Sequence, residues 1–267
     1  MSNVEAGIFF EQLVQDLENG SLTRKSEIIK FFNKYNLNAN PTKTKLMQNW
    51  INASLLTACE NGHVNVVDFL LTSKDLPILA DINAYDGKIL YKTAEKGNLE
   101  VIKYLLTSPN LKTNVDIHTK DDVLLTAASN GGHFNLIKYL LTSPELKEHA
   151  NIHAKEENAL VSACATRKYE IVKYLLSSPD LKEHSNIHVA KDLSFSLIMR
   201  ENNTEMLQYL IFDLKIEITD NIKEIVENCF DSERKEQIKN WIKIRQFNDL
   251  LEDLPVSENK KNNKVKM

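Results

Sequence analysis

Glycine and proline are scarce in this sequence, and cysteine is scarcer still. The 267 residues include 7 Gly, 6 Pro and 3 Cys. Architectures built from many short strands and tight turns use more glycine and proline than this, so the composition favours a mostly helical protein. The cysteines, Cys59, Cys164 and Cys229, are an odd number spread along a long chain. This pattern fits a reducing compartment better than a disulfide framework.

The sequence also lacks long apolar runs and any excess of basic residues. No stretch of about 18 apolar residues occurs, and residues 1–20 contain acids where a signal peptide would carry a basic leader and an apolar core. We therefore expect no membrane span and a cytoplasmic location. The 33 basic and 37 acidic side chains give a net charge of −4. A broad basic surface, which nucleic acid binding requires, is not expected.

What the sequence does contain is a repeat. TSPELKEHANIH begins at residue 142, and SSPDLKEHSNIH begins 35 positions later, at residue 177. Such a period is typical of stacked supersecondary units that bury their faces against each other. A pair of large aliphatic residues, preceded by an aromatic one, marks five units in register: Leu70-Leu71, Leu105-Leu106, Leu140-Leu141, Leu175-Leu176 and Leu210-Ile211. Fifteen residues before each pair stands Leu55, Leu90, Leu125, Leu160 or Phe195.

Each unit has the pattern of two helices. Val101, Ile102, Leu105 and Leu106 form one apolar stripe and predict the second helix. The first helix is shorter and carries a small residue at one shared position, namely Ala58, Thr93, Ala128 or Ala163. Between the helices we expect a left-handed turn at Gly62, Gly97 and Gly132, with Arg167 and Asn202 taking the same position later. Proline follows the second helix at Pro109, Pro144 and Pro179 and should end it.

The stretches ACENGHVNVVDFLL and AASNGGHFNLIKYLL resemble the ankyrin repeat, over about residues 50–220. The resemblance implies an all-α solenoid of stacked helix-turn-helix units. Two departures stand out. The Thr-Pro-Leu-His start of the first helix is missing, and the segment from His118 to the next helix is short. The hairpin that projects between ankyrin repeats is therefore expected to be stunted.

The ends differ from the repeats and suggest four segments. Residues 1–50 are predicted to form an N-terminal helical cap, with amphipathic patterns at 4–19 and 24–36. Residues 51–219 hold the five repeats, and 220–254 hold two closing helices that cover the end of the array. The tail, 255–267, is rich in Lys and Asn and is predicted to be disordered. Because the closing helices are charged, we expect the chain to be monomeric on its own.

No residue pattern predicts catalysis, a cofactor or a metal site. His118, His153 and His188 recur every 35 residues, but equivalent residues of adjacent repeats lie roughly 10 Å apart and cannot share one ion. We expect these histidines, with His149 and His184, to hydrogen-bond the connecting loops. His63 and His133 are expected to satisfy backbone groups. Acidic pairs such as Asp121-Asp122 and Glu156-Glu157 are expected to lie at the N-termini of the first helices, where they interact favourably with the helix dipole.

The resemblance implies that another protein binds to the concave side, formed by the hairpin tips and the first helices. Tyr85 is the expected anchor, because aromatic residues dominate binding energy. The remaining charges are mixed and predict a polar, charge-complementary partner. The implied contact residues are Tyr85, Lys88, Glu95, Lys96, Lys120, Asp122, Asn130, Lys155, Glu157, Thr166, Lys191, Arg200 and Glu201.

Two functional interpretations follow. The first is a non-enzymatic protein-binding module. The alternative is a microbial effector or inhibitor delivered into the cytosol of a host cell, with its activity in the terminal segments. Neither end contains a recognisable catalytic constellation, and about 50 residues is too short for most enzyme domains, which favours the first interpretation.

Overall fold

A computed structural model describes Asp16, Asn19 and residues 25–34, 41–201, 203–229 and 231–252. These residues form helices and loops, and no strand occurs among them. We number the helices in chain order: α1 Lys25–Lys34, α2 Pro41–Glu60, α3 Val64–Thr72, α4 Lys88–Glu95, α5 Leu99–Thr107, α6 Thr119–Gly131, α7 Phe134–Thr142, α8 Ala154–Ala165, α9 Tyr169–Ser177, α10 Val189–Arg200, α11 Thr204–Gln208, α12 Asp220–Glu227 and α13 Ser232–Glu252. The all-α fold predicted from the sequence is confirmed.

The chain forms two compact units, Met1–Ala190 and Lys191–Met267. This division falls inside the fifth repeat predicted from the sequence, so the segment boundaries 1–50, 51–219, 220–254 and 255–267 stay a prediction. Most of the expected helix at 4–19 and the whole tail 255–267 lie outside the described residues. Within the described residues, every helix is too short or too polar to cross a bilayer.

In the first unit, the helices form two rows. The first helices of successive repeats, α2, α4, α6 and α8, pack side by side, and each also packs against the second helix that follows it. One shared position of this row, Leu55, Leu90, Leu125 and Leu160, is at most 1% exposed. The small residues Ala58, Thr93, Ala128 and Ala163 are fully buried, which lets neighbouring helices approach closely. The 35-residue period is therefore the period of the core.

The turn between the two helices of a repeat has the predicted left-handed conformation. Gly62, Gly97 and Gly132 have φ of 78°, 74° and 85°. Arg167 stands at the same position of the fourth repeat and also has a positive φ, of 60°, although a side chain makes that conformation costly. The second helices α5, α7 and α9 each end two residues before a proline, as expected.

Between repeats, three-residue left-handed turns replace the projecting hairpin. Residues 120–122 and 155–157 all have φ between 47° and 63°, as do 190–192, and the turn at Tyr85 and Asp86 continues into Gly87 at 83°. The prediction of a stunted hairpin is confirmed. Left-handed conformation costs residues with a Cβ roughly 1–2 kcal/mol each, so the packed repeats hold these turns against local preference.

Glycine at the middle of such a turn should stabilise the protein. Glu156 is exposed and has φ 54°, so Glu156→Gly relieves strain and we expect a gain of about 0.5–1 kcal/mol after the entropy cost of glycine. Glu170, exposed in the first turn of α9, is the matched control, because Glu170→Gly should lose about 1 kcal/mol. Urea unfolding of both variants measures this. Losses at both sites would contradict the left-handed turn.

In the second unit, side chains cap the helix starts. The backbone N–H of Met206 donates to Asn203 Oδ1 at 2.7 Å, and that of Ile222 to Thr219 Oγ1 at 3.0 Å. Asp231 Oδ1 accepts from the N–H of Arg234 at 3.0 Å and so caps α13. A π-helical turn, Tyr209–Asp213, follows α11. The core of this unit includes Phe195, Leu210, Ile222 and Ile238, all fully buried.

Candidate functional site

The left-handed turns carry buried carboxylates. Asp122, Glu157 and Asp192 share one position of the repeat and are 4%, 2% and 3% exposed. The Oδ1 atom of Asp122 accepts the backbone N–H of Asn151 from the next repeat at 2.8 Å. The prediction that Asp122 and Glu157 face a partner is therefore wrong: the stacking of repeats covers them, and Asp122 joins one repeat to the next.

Histidines pair with these carboxylates. His118 Nδ1 lies 3.1 Å from Asp122 Oδ1, and His153 Nδ1 lies 2.5 Å from Glu157 Oε1. The hydrogen bond to Glu157 raises the pKa of His153, against the opposing effect of its partial burial. These two histidines therefore bind turn carboxylates. Their Nε2 atoms also lie 3.4 Å from the loop carboxylates of Glu148 and Glu183, in agreement with the loop contacts expected from the sequence.

Three other histidines contact backbone carbonyls, as predicted. His149 Nε2 and His184 Nε2 lie 3.0 and 2.8 Å from the loop carbonyls of Ser143 and Ser178. His133 Nε2 lies 2.6 Å from the carbonyl oxygen of Glu95. No group of three or more His, Cys, Asp or Glu side chains in the described part of the chain is arranged to hold a metal ion.

The exposed part of the site is the turn face, which we define as the left-handed turns of the first unit with the exposed side of α4. Tyr85 is 44% exposed, and its hydroxyl donates to the carbonyl of Asn49 at 3.1 Å. Lys88 is the first residue of α4 and Lys96 follows its last residue; both lysines are exposed, whereas Ile89 and Leu90 are buried. Neither lysine has an ion-pair partner among the described residues.

Between these lysines lies a hydrogen-bonded network. Lys92 Nζ donates to Glu95 Oε2 at 2.5 Å, and Asn130 Nδ2 donates to Glu95 Oε1 and to the Tyr91 hydroxyl, at 3.2 Å in both cases. The bond from Lys92 lowers the pKa of Glu95. Glu95 and Asn130 were predicted from the sequence as contact residues, whereas Tyr91 and Lys92 were not. Tyr91 and Lys92 lie three and four residues after Lys88, a spacing that places them on the same face of a helix, so they could have been predicted as contact residues.

The predicted lysines of the later turns are engaged within the protein. Lys120 Nζ donates to the Asp86 carboxylate of the preceding turn, which lowers the pKa of Asp86. Lys155 Nζ lies 3.3 Å from Asp121 Oδ2 in the same way. Both pairs are exposed, so each contributes little to stability. They nevertheless leave Lys88 and Lys96 as the lysines of the predicted set in this unit that are free to meet a partner.

The remaining predicted contact residues are Thr166, Lys191, Arg200 and Glu201. Thr166 is half-buried, and its hydroxyl donates to the carbonyl of Ser162 at 2.8 Å. Lys191, Arg200 and Glu201 belong to the second unit. Lys191 and Arg200 are exposed and Glu201 is half-buried.

The cysteines show no sign of an activated thiol. Cys59 and Cys164 are fully buried, Cys229 is half-buried, and none of the three forms a disulfide. Burial raises the pKa of Cys59 to about 12, so its thiolate is not available near neutral pH.

Comparison with known families agrees with this geometry. A family model described as ankyrin repeats (3 copies) matches residues 21–121, 90–187 and 124–222, which together cover most of the chain. The chain belongs to the ankyrin-repeat family. No curated protein matches it. Ankyrin repeats generally mediate protein–protein interaction.

Proposed function

We propose that this protein is a non-enzymatic binding module that holds a partner protein on the turn face. The observation that carries the proposal is the grouping of Tyr85, Lys88 and Lys96 on and beside α4, with both ammonium groups unpaired among the described residues. Two unpaired cations beside an exposed aromatic ring suit a partner that presents carboxylates next to an apolar group.

The lack of disulfides among the three cysteines supports a cytoplasmic location. None of the three cysteines forms a disulfide, and two are inside the core. A reducing compartment such as the cytoplasm fits this arrangement. The alternative role as a delivered effector depends on the terminal segments, and no observation on the described residues favours it.

Reversal of the two free lysines should abolish partner capture. We expect Lys88→Glu/Lys96→Glu to weaken binding at least about tenfold, because each change replaces an attraction by a repulsion. The immobilised variant and the unaltered protein would be exposed to the same lysate, and retained proteins quantified by mass spectrometry. Circular dichroism should show unchanged helicity, since both side chains are exposed and unpaired.

The matched control is Lys112→Glu/Lys147→Glu. These two lysines are also exposed and lie in the loops after α5 and α7, outside the turn face as defined above. The control has the same net charge as the test variant and should keep the partner. Equal loss in both variants would mean that capture depends on net charge alone. Retention by the test variant would place the partner elsewhere. Lys120 and Lys155 are left unchanged because their reversal would disturb ion pairs within the protein.

A further inference from the structure

The second unit contains a cavity with a buried arginine in its wall. The cavity is about 590 Å³ and is lined by residues from the end of α10, from α12 and the segment after it, and from the start of α13. Its lining is apolar at Met199, Ile225 and Cys229, and cationic at Arg200 and Arg234.

The Arg234 guanidinium is buried in the cavity wall without full hydrogen bonding. The residue is only 9% exposed, and its Nε and Nη2 atoms are buried without a hydrogen-bond partner in the described chain. Guanidinium N–H groups that are buried without acceptors lose hydration, and no hydrogen bond within the protein offsets that cost in free energy. Arg234 also lies in the first turn of α13, where the helix dipole repels a positive charge. Asp231 Oδ1 caps this helix, and among the described residues the Asp231 carboxylate forms no ion pair or hydrogen bond with the Arg234 guanidinium.

We propose that this cavity binds a peptide carboxylate flanked by an apolar side chain. Arg234 and the exposed Arg200 would meet the carboxylate, because a guanidinium binds that group in a planar, two-point geometry. Met199 and Ile225 would contact the apolar part. The one acid in the lining, Asp231, leaves a net charge of +1 at the site, which suits a singly charged carboxylate better than a phosphate dianion. All lining residues belong to the second unit, and the proposal does not depend on the proposed function.

Cys229 provides a reporter inside the cavity. It is half-buried in the lining, whereas Cys59 and Cys164 are fully buried in the first unit. In the folded protein, the neutral reagent iodoacetamide should therefore alkylate Cys229 first. A ligand in the cavity should protect this thiol, and at a concentration of five times its Kd the alkylation rate should fall about sixfold. The reaction is followed by mass spectrometry of the intact full-length chain.

The probes are N-acetyl-leucine, its amide N-acetyl-leucinamide, and inorganic phosphate. We expect N-acetyl-leucine to protect Cys229 with a Kd on the order of a few millimolar, as suits so small a ligand. The amide, which has the same apolar side chain and no charge, should not protect. Protection by the amide would show that the carboxylate is not recognised. Stronger protection by phosphate than by N-acetyl-leucine would show that the site binds phosphate and would overturn the carboxylate proposal. Absence of protection by N-acetyl-leucine would overturn the proposal.

Arg234→Met separates a binding role from a structural one. We expect the variant to bind N-acetyl-leucine at least about tenfold more weakly. Its Tm without ligand should rise by about 2–4 °C, because an unpaired buried charge is removed. A lower Tm with unchanged protection would make Arg234 structural and would reject the site. Arg200→Met is the comparison variant: its side chain is exposed, so its Tm should not change while its affinity falls.

Discussion

Asp122→Ala is expected to destabilise the protein by about 2–3 kcal/mol. The substitution removes a buried carboxylate that accepts the backbone N–H of Asn151 at 2.8 Å, and hydrogen bonds to charged groups contribute about 1.5–3 kcal/mol each. It leaves the Asn151 N–H without this acceptor and removes one of the two carboxylates that contact His118. Alanine also tolerates the φ of 57° at this position less well than aspartate does. Urea unfolding gives the free energy directly.

Two further substitutions at position 122 separate the contribution of the hydrogen bond to stability from that of the left-handed backbone. Asp122→Asn keeps an oxygen acceptor and tolerates the left-handed backbone, so it should lose less than half as much. Asp122→Gly removes the acceptor and relieves the backbone, so it should lie between the other two. The second repeat has Gly87 at this position, which shows that glycine fits the turn. Equal losses for the Asn and Ala variants would mean that the hydrogen bond is not the cause of the stability.

The parts of the fold that repeat could be predicted because each helix obeys its own sequence pattern. Leu90 and Leu105 occur at the two shared core positions of the second unit, and both are buried. Gly97 and Gly132 mark turns that need a positive φ. In these cases local preference and packing agree, and the sequence alone is a sufficient guide.

The turns between repeats could not be predicted, because there packing overrides local preference. Nothing in Lys155, Glu156 and Glu157 favours three successive left-handed residues, and charged side chains are seldom buried. The recurrence of an acid at Asp122, Glu157 and Asp192 was visible in the sequence. It indicates that the three residues share a role, but it does not show whether their carboxylates are buried or exposed. The burial of Arg234 was hidden in the same way, since α13 is a strongly charged helix.

The second large effect concerns Gly131, the last residue of α6. Helix propensity alone would favour Gly131→Ala by about 1 kcal/mol, because the residue lacks the positive φ of its neighbour Gly132. Packing predicts the reverse. A Cβ at this position would lie 2.2 Å from the carbonyl oxygen of Glu95 and 2.5 Å from Cδ2 of the His133 ring. It would occupy the space through which His133 reaches the Glu95 carbonyl.

We therefore expect Gly131→Ala to cost about 2–3 kcal/mol in urea unfolding, since a backbone oxygen cannot move aside as a side chain can and a cross-repeat hydrogen bond is strained. Lys96→Ala is the matched control. Lys96 has the same position in the preceding repeat, is exposed, and already has a Cβ, so its replacement should change stability by less than about 0.5 kcal/mol. A stabilised Gly131→Ala variant would show that helix propensity exceeds packing here, and that the close contact between α4 and α6 is not required for stacking.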